Sequence, residues 1–180
     1  MRDTSEQTRR IAQLFDHQAA RLFTYARRHA DHSGAEDLVA GAFEVALRRA
    51  EDVPTDDGEA FAWLVGTVRK LAANNRRRTK VAERHWAEQV RTLWHLTTSS
   101  SLDDAVAERE AALAALAALR PRDREAVLLV AWDGLTADQA AQVTGCSANA
   151  FTVRLHRARR RLEEAQTAGT PLRIVTEGTR

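Results

Sequence analysis

The stretch GLTADQAAQVTGCSANAFTVRLHRARRR, residues 134–161, decides the fold because it predicts two short helices separated by a tight turn. Thr136 and Gln139 have the spacing of a capping box for a helix that ends at Thr144. Residues 145–147, Gly-Cys-Ser, then form the turn. Two short helices joined by a glycine-containing turn are typical of a helix-turn-helix. The apolar face of its second helix is formed by Phe151, Leu155, Ala158 and Leu162.

The second helix of this pair is rich in arginine and would enter the major groove of duplex DNA. With its apolar face toward the core, side chains on the opposite face near the helix N-terminus can reach base edges. Ser147, at the predicted N-cap, would lie beside a phosphate at the positive end of the helix dipole. The alternative is a solvated basic helix in an alanine-rich bundle, but the turn and its caps favour DNA binding. The predicted base-reading residues are Asn149, Thr152, Val153, His156 and Arg157.

Three longer helices precede this unit. Apolar residues at helical spacing predict a first helix over about residues 6–30. Ser33 with Glu36 predicts a capping box for a second helix, whose apolar stripe runs over residues 35–50. Residues 52–58 then predict a loop, after which helical spacing resumes. These three helices can close a first core.

A serine-rich stretch at residues 97–101 marks the boundary between two helical domains. Ser101 with Asp104 predicts a capping box for an alanine-rich helix, which must stop near Arg120 because Pro121 follows. We therefore expect an all-α chain of two small helical domains joined by a linker. The first domain, the linker, the helix-turn-helix domain and a flexible tail are expected over residues 6–84, 85–102, 103–165 and 166–180.

The composition of the chain excludes several classes of protein. The 180 residues carry 27 Lys plus Arg and 25 Asp plus Glu, a net charge of +2, which excludes a uniformly basic, histone-like protein. The single cysteine, Cys146, excludes a disulfide framework. No apolar run approaches the roughly 20 residues of a membrane span, and residues 1–10 lack the apolar core of a signal peptide. We therefore expect a soluble, cytoplasmic protein.

The sequence favours no enzymatic activity. Cys146 lies in the predicted turn without a paired histidine, and phosphate-binding glycine loops are absent. His29, His32 and Glu36 invite comparison with a metal site, but Ser33-Gly34 is expected to break the helix between them. A solvated helix end is the favoured interpretation. We therefore expect neither a cofactor nor a metal ion.

The C-terminal half resembles region 4 of bacterial extracytoplasmic-function (ECF) sigma factors of RNA polymerase, in the sigma-70 family. The resemblance is carried by residues 119–129 (LRPRDREAVLL) and 154–159 (RLHRAR), together with the turn elements between them. The resemblance spans four helices with their spacing. It implies that the C-terminal domain binds the minus-35 promoter element through Ser147 and the base-reading residues named above. Gln139, Thr144 and Phe151-Thr152 depart from the usual residues of the family, so no particular promoter sequence is implied.

Residues 35–39 (AEDLV) with Ala42-Phe43 are similar to region 2.2 of the same family, a helix that docks onto the largest polymerase subunit. Ala40-Gly41 departs from the usual acidic or amide pair of that region. The resemblance implies that this chain binds core RNA polymerase through Glu36, Asp37, Leu38, Gly41 and Glu44.

Residues 61–72 (FAWLVGTVRKLA) resemble regions 2.3 and 2.4, which open and read the minus-10 element. Bases stack on aromatic rings while lysine and arginine follow phosphates, so an aromatic beside basic groups suits an opened strand. The alternative for Trp63 is a large core residue. Lys70 and the loop at residues 54–57 depart from the family pattern, so no minus-10 sequence is predicted. The implied minus-10 contacts are Trp63, Gly66, Thr67, Arg69, Lys70, Asn74, Arg76, Arg77 and Arg78.

The expected function is that of an ECF-type sigma factor, which binds core RNA polymerase and promoter DNA. In the family an anti-sigma factor often occludes these surfaces. The alternative is a stand-alone dimeric helix-turn-helix transcription regulator, which explains the C-terminal half but leaves the basic and aromatic residues 63–80 unexplained. Trp86 and Trp94 in the linker would thread into the polymerase, pack the two domains together, or meet an anti-sigma factor.

Overall fold

A computed structural model describes residues 4–78 and 103–167, and all regular secondary structure in these two ranges is helical. The predicted all-α fold is confirmed. Among the described helices, none has the length and apolarity that crossing a bilayer requires. The predicted linker and Ser101 lie outside the described residues. The helices are α1 Thr4–Ala26, α2 His32–Arg48, α3 Asp57–Arg78, α4 Asp103–Ala118, α5 Pro121–Ala131, α6 Ala137–Thr144 and α7 Ala148–Thr167.

Helices α1, α2 and α3 pack against one another and form the first domain. Each contributes the apolar stripe that its sequence predicts, and burial of these stripes is the main stabilising term of the domain. The centre of its core contains Leu22 and Tyr25 from α1, Phe43 from α2, and Phe61 and Leu64 from α3, each at most 6% exposed.

The junction between α1 and α2 differs from the prediction in two ways. The first helix ends four residues earlier than predicted, at Ala26, because the chain turns there to begin α2. The N-cap of α2 is Asp31, whose carboxylate accepts a hydrogen bond of 2.8 Å from the backbone N–H of Gly34. Ser33 and Glu36 lie inside the helix, so the predicted capping box is wrong. Aspartate is as good an N-cap as serine, and Asp31 comes first along the chain.

A 3-10 turn, Ala50–Asp52, and a short loop connect α2 to α3, where the sequence predicts a loop. Asp56 begins α3 by accepting a hydrogen bond of 2.9 Å from the backbone N–H of Glu59. Arg10 of α1 donates hydrogen bonds to two carbonyl oxygens of the loop, that of Val53 at 3.1 Å and that of the following proline. The Arg10 side chain therefore fixes the backbone of this loop to the bundle.

The second domain contains the helix-turn-helix. Thr136 and Gln139 form both hydrogen bonds of the predicted capping box, at 3.2 Å and 2.9 Å. Gly145 ends α6 with φ of 72°, in the left-handed region that favours glycine. Ser147 caps α7, since its Oγ accepts a hydrogen bond of 3.2 Å from the N–H of Ala150. The predicted helix-turn-helix is confirmed.

Helices α5, α6 and α7 enclose the core of this domain, and α4 packs against α7. Pro121 occupies the first turn of α5, as predicted, where its missing N–H costs nothing. The predicted apolar face of α7 points into this core. The core contains Ala126, Leu129, Ala140, Phe151, Leu155, Ala158 and Leu162, each at most 7% exposed.

The two domains contact each other directly. Helix α3 packs against α6, and the buried residues of both domains form one hydrophobic cluster. Arg21 of α1 and Arg28, in the turn that follows α1, reach Asp133 in the loop between α5 and α6. We call this arrangement the closed arrangement. In the closed arrangement some of the predicted functional residues stay exposed, and others contact the opposite domain.

Candidate nucleic-acid interface

The predicted base-reading residues of α7 share one exposed face. Phe151 is fully buried and Leu155 nearly so, which turns the opposite side of the helix outward. Val153 is 41% exposed on this outward side of the helix. The exposed Thr152 donates a hydrogen bond of 2.9 Å from its hydroxyl to the Ala148 carbonyl. The structure therefore brings together, on the outer face of α7, Asn149, Thr152, Val153, His156 and Arg157, all exposed.

A groove of about 590 Å³ lies beside this face, between the start of α5 and α7. Five arginines line it and one carboxylate, that of Asp123, which pairs with Arg161. Such a groove matches a phosphate backbone, because guanidinium groups bind phosphate bidentately. Sequence reasoning did not assign the start of α5 to the interface, because only the fold brings it next to α7. The arginines are Arg120, Arg122, Arg154, Arg157 and Arg161.

The predicted minus-10 residues of α3 fall on two different faces. Trp63 is half-buried, and its carbonyl accepts a hydrogen bond of 3.0 Å from the Thr67 hydroxyl. Lys70 and Asn74 are exposed on the same side of the helix, since helical positions three and four apart are neighbours. The side chains of Arg76, Arg77 and Arg78 lie outside the described residues.

Gly66 and Arg69 lie on the face of α3 that meets the second domain. A Cβ placed on Gly66 would lie 3.9 Å from Val143 Cγ2 of α6. Arg69 donates to Glu125 of α5 through two nitrogens of its guanidinium, with Nε to Oε1 at 2.6 Å and Nη2 to Oε2 at 3.3 Å. The hydrogen bond to Glu125 raises the pKa of Arg69. In the closed arrangement these two predicted DNA contacts are therefore engaged within the protein.

Some of the predicted polymerase-binding residues of α2 are exposed, and others pack inside the domain. Glu36, Asp37 and Glu44 are exposed and form an acidic surface. Leu38 is only 3% exposed and packs in the core, so it supports the helix and presents no side chain to a partner. A Cβ placed on Gly41 would lie 3.3 Å from Leu71 Cδ1, so Gly41 allows α2 and α3 to approach closely. The surface available to a partner is the acidic one.

A buried charged cluster, which the sequence did not predict, joins α1 to the second domain. Arg28 pairs with Asp133, and their side chains are only 6% and 3% exposed. Arg21 donates a hydrogen bond to the Asp133 carbonyl and stacks on Phe61, with 3.8 Å between its guanidinium carbon and the ring centroid. Arg28 likewise lies 4.7 Å from the ring centroid of Tyr25.

Burial sets the protonation behaviour of this cluster. Loss of hydration raises the pKa of Asp133, while Arg28 and Arg21 oppose that rise. Burial also raises the pKa of Tyr25, so its phenol stays neutral. Ionising a group in such an environment is costly unless a partner compensates. The cluster therefore depends on keeping the two domains together.

No group of three metal-ligating side chains is present in residues 4–78 and 103–167. At the start of α2, where the sequence invited a comparison with a metal site, His32 Nε2 lies 3.4 Å from Glu36 Oε1. Both side chains are exposed, as a solvated helix end would be.

Comparison with known proteins gives a family match for part of the second domain and two solved structures of similar fold. Residues 109–162 match the family model described as sigma-70, region 4. No curated protein matches the chain. The fold is similar to that of CnrH in complex with the cytosolic domain of CnrY, at a TM-score of 0.61 and 23% identity over 93% of this chain and 94% of that one. It is also similar to the sigma factor RpoE in complex with the anti-sigma factor NepR from Bartonella quintana, at a TM-score of 0.60 and 23% identity over 88% and 97%.

Proposed function

We propose that the chain is an ECF-type sigma factor of the sigma-70 family, which binds core RNA polymerase and directs transcription initiation at specific promoters; the match of residues 109–162 to the sigma-70 region 4 model supports this. The observation that carries this proposal is the helix-turn-helix of residues 136–167, whose outward face is the one expected to read DNA and which lies largely within the region 4 match. Sigma factors are initiation factors without catalytic activity of their own. The chain then acts where the polymerase is, in the cytoplasm.

The minus-35 element is the proposed ligand of α7. Its exposed face would enter the major groove, where Arg157 and Asn149 have the donors and acceptors that base edges require. The arginine groove beside it would follow the phosphate backbone, with Arg120 and Arg122 adding contacts from α5. Phosphate contacts would therefore come from both α5 and α7, whereas base contacts would come from α7 alone.

The minus-10 element is the proposed ligand of α3. Trp63, Lys70 and Asn74 offer an aromatic ring, a cation and an amide along one side of the helix. An opened strand can stack its bases on the ring while its phosphates meet the cation. Arg69 and Gly66 would join this surface once the second domain moves away.

Core polymerase is the proposed partner of the acidic surface on α2, formed by Glu36, Asp37 and Glu44. The similar sigma factor RpoE was solved with an anti-sigma factor. We propose that this chain is also regulated by an anti-sigma factor that occludes its interaction surfaces.

The proposal is tested by gel filtration of the purified chain with bacterial core RNA polymerase. We expect the wild-type chain to co-elute with the polymerase. We expect the double variant Asp37→Arg, Glu44→Arg to lose affinity by roughly tenfold or more, because reversed charges repel the partner surface. Both residues are exposed, so circular dichroism should show an intact fold.

The matched control is Glu163→Arg, a charge reversal at an exposed position of α7 that should leave co-elution unchanged. Failure of the wild-type chain to bind polymerase would refute the proposal. If that chain instead binds palindromic duplex DNA as a dimer, the stand-alone regulator is the correct interpretation.

A further inference from the structure

The corner between α4 and α5 carries one wall of the arginine groove. The start of α5 supplies Arg120 and Arg122 to this wall, and α7 supplies the other wall. Arg120 is the N-cap of α5 and makes no side-chain capping hydrogen bond. Arginine is not among the residues that cap a helix well. The corner, where the chain leaves α4 at Ala118 and enters α5 at Pro121, is therefore held by something other than its N-cap.

The end of α4 also lacks donors of its own. The last four carbonyl groups of an α-helix have no hydrogen-bond donor within that helix. Pro121, four residues after Ala117, has no backbone N–H to offer to the Ala117 carbonyl. The last turn of α4 contains no basic side chain. Donors for these carbonyl groups must therefore come from another element.

The side chain of Arg124, in α5, supplies these donors. Its Nε donates a hydrogen bond of 2.8 Å to the Leu116 carbonyl. Its Nη2 donates to the carbonyls of Ala117 at 2.8 Å and Leu119 at 2.9 Å. Its backbone N–H donates to the Arg120 carbonyl at 3.0 Å. Burial lowers the pKa of Arg124, as expected for a guanidinium that faces protein groups. One residue of α5 thus binds four carbonyl groups within residues 116–120.

The two walls of the groove have to keep a fixed spacing to bind one DNA backbone. Asp123 of α5 pairs with Arg161 of α7 across the groove, and Arg154 and Arg157 line the α7 wall. Bidentate bonds from guanidinium to phosphate weaken when the distance or the angle changes. A set of binding groups therefore needs supporting contacts that hold each member within about 0.5 Å.

We propose that Arg124 is a positioning residue for DNA binding. By fixing the corner between α4 and α5, it holds Arg120 and Arg122 at the spacing that a DNA backbone requires. Arg124 acts through these two arginines, because its Nε and Nη2 donate to carbonyl groups of the protein. The proposal rests on the proposed function for the identity of the ligand, but the corner itself is a property of the free chain.

The test is binding of the full chain to a fluorescein-labelled duplex DNA of mixed sequence, measured by fluorescence anisotropy at several salt concentrations. The double variant Arg120→Ala, Arg122→Ala should reduce the slope of log K against log salt by about 1.8, because each lost phosphate contact removes about 0.9. Arg124→Leu should reduce the slope by about 1 to 2 and weaken binding about tenfold. Arg159→Leu removes an equal charge at an exposed position outside the groove and should reduce the slope clearly less.

A wild-type slope in the double variant would show that the groove does not bind phosphate, and would overturn the proposal. A wild-type slope in Arg124→Leu would overturn it as well, since the corner would then be correctly placed without the Arg124 side chain.

A double-mutant cycle separates positioning from a direct or purely structural role. In the Arg120→Ala, Arg122→Ala background, Arg124→Leu should cause no further loss of affinity or slope, because the residues that it positions are already absent. A full additional loss in that background would show that Arg124 contacts phosphate itself or stabilises the domain as a whole. Either explanation would overturn the positioning role.

Folding of each variant is measured by urea denaturation followed by circular dichroism. Arg124→Lys is the second variant if Arg124→Leu does not fold. It keeps the charge, but a single ammonium group lacks the fork of donors with which arginine binds three carbonyls. Arg124→Lys should therefore reduce the slope although the net charge is unchanged. A wild-type slope would show that the fork geometry is not required, and would overturn the proposal.

Co-elution with core polymerase reports separately on the proposed function. If the wild-type chain binds the duplex but not the polymerase, the proposed function fails, while the slopes still measure the role of Arg124. If the polymerase binds but Arg124→Leu keeps the wild-type slope, the proposed function stands and the positioning role fails.

Discussion

The two helices proposed to read DNA, α3 and α7, differ in how the rest of the chain supports them. Helix α7 packs by one face, and the opposite face carries exposed residues from Asn149 to Arg157. Helix α3 packs by two faces, one in its own domain and one against α6, so two of its predicted DNA contacts are engaged elsewhere. A helix with one buried face has its ligand surface free at all times. A helix with two buried faces can have its ligand surface regulated by movement of a neighbour.

The largest expected effect comes from the buried face of α7. Phe151 is fully buried, so Phe151→Ala should lower the free energy of unfolding by about 3–5 kcal/mol through lost contacts and a new cavity. Urea denaturation followed by circular dichroism measures this. Val153→Ala on the exposed face of the same helix should change it by less than about 0.5 kcal/mol. Equal losses in the two variants would contradict the one-faced packing of α7.

Substitutions on the exposed face of α7 should weaken DNA binding without changing the free energy of unfolding. Arg157→Ala should cost about 1–3 kcal/mol in binding to a minus-35 duplex selected from a random library by the polymerase complex. Arg159→Ala is the matched control, because Arg159 is exposed two residues away and lies outside the arginine groove. Competition binding at fixed salt measures both variants. A larger loss for the control would place the reading face elsewhere on α7.

The two surfaces also differ in what the sequence alone could predict. The face of α7 follows from local rules, because periodicity fixes the buried residues and the caps at Thr136 and Ser147 fix the helix ends. The packing of α3 against α6 depends on the approach of residues far apart in the chain. A single sequence contains no sign that Arg69 meets Glu125 or that Arg28 meets Asp133.

The prediction from local sequence was wrong where two neighbouring residues could both serve as the N-cap of α2. Asp31 and Ser33 both suit an N-cap, and the choice between them depends on where the chain leaves α1. The same limit applies to Leu38, which belongs to a stripe that resembles a docking motif but lies in the core. Periodicity predicts that such a residue is apolar and on one face, and only packing shows whether that face meets a partner.

The two faces of α3 can be compared through the salt dependence of binding to single-stranded DNA. Lys70 is exposed and free to meet a phosphate, so Lys70→Ala should lower the slope of log K against log salt by about 0.7. Arg69→Ala should lower the slope by clearly less in the free protein, because Arg69 is already paired with Glu125. Fluorescence titration at several salt concentrations measures the slopes. Equal changes would show that Arg69 is as available as Lys70.

The smallest expected effect concerns the hydrogen bonding of buried polar groups, which differs between the helix-turn-helix and the first domain. The caps of α6 and α7 have their hydrogen-bond partners, whereas the Tyr25 hydroxyl, on a side chain 1% exposed, has none among the described residues. An unpaired buried hydroxyl costs free energy that a phenyl ring avoids. Tyr25→Phe should therefore leave the free energy of unfolding unchanged or raise it by up to about 1 kcal/mol.

Urea denaturation of Tyr25→Phe beside Thr136→Ala makes this comparison measurable. Thr136→Ala removes a satisfied cap and should lower the free energy of unfolding by about 1 kcal/mol. Opposite signs for the two variants would show that hydrogen bonding is complete at the helix-turn-helix cap and incomplete at Tyr25 in the core of the first domain. A loss above about 1 kcal/mol in Tyr25→Phe would mean that the hydroxyl is hydrogen-bonded in solution, and that the core of the first domain is as well satisfied as the helix-turn-helix.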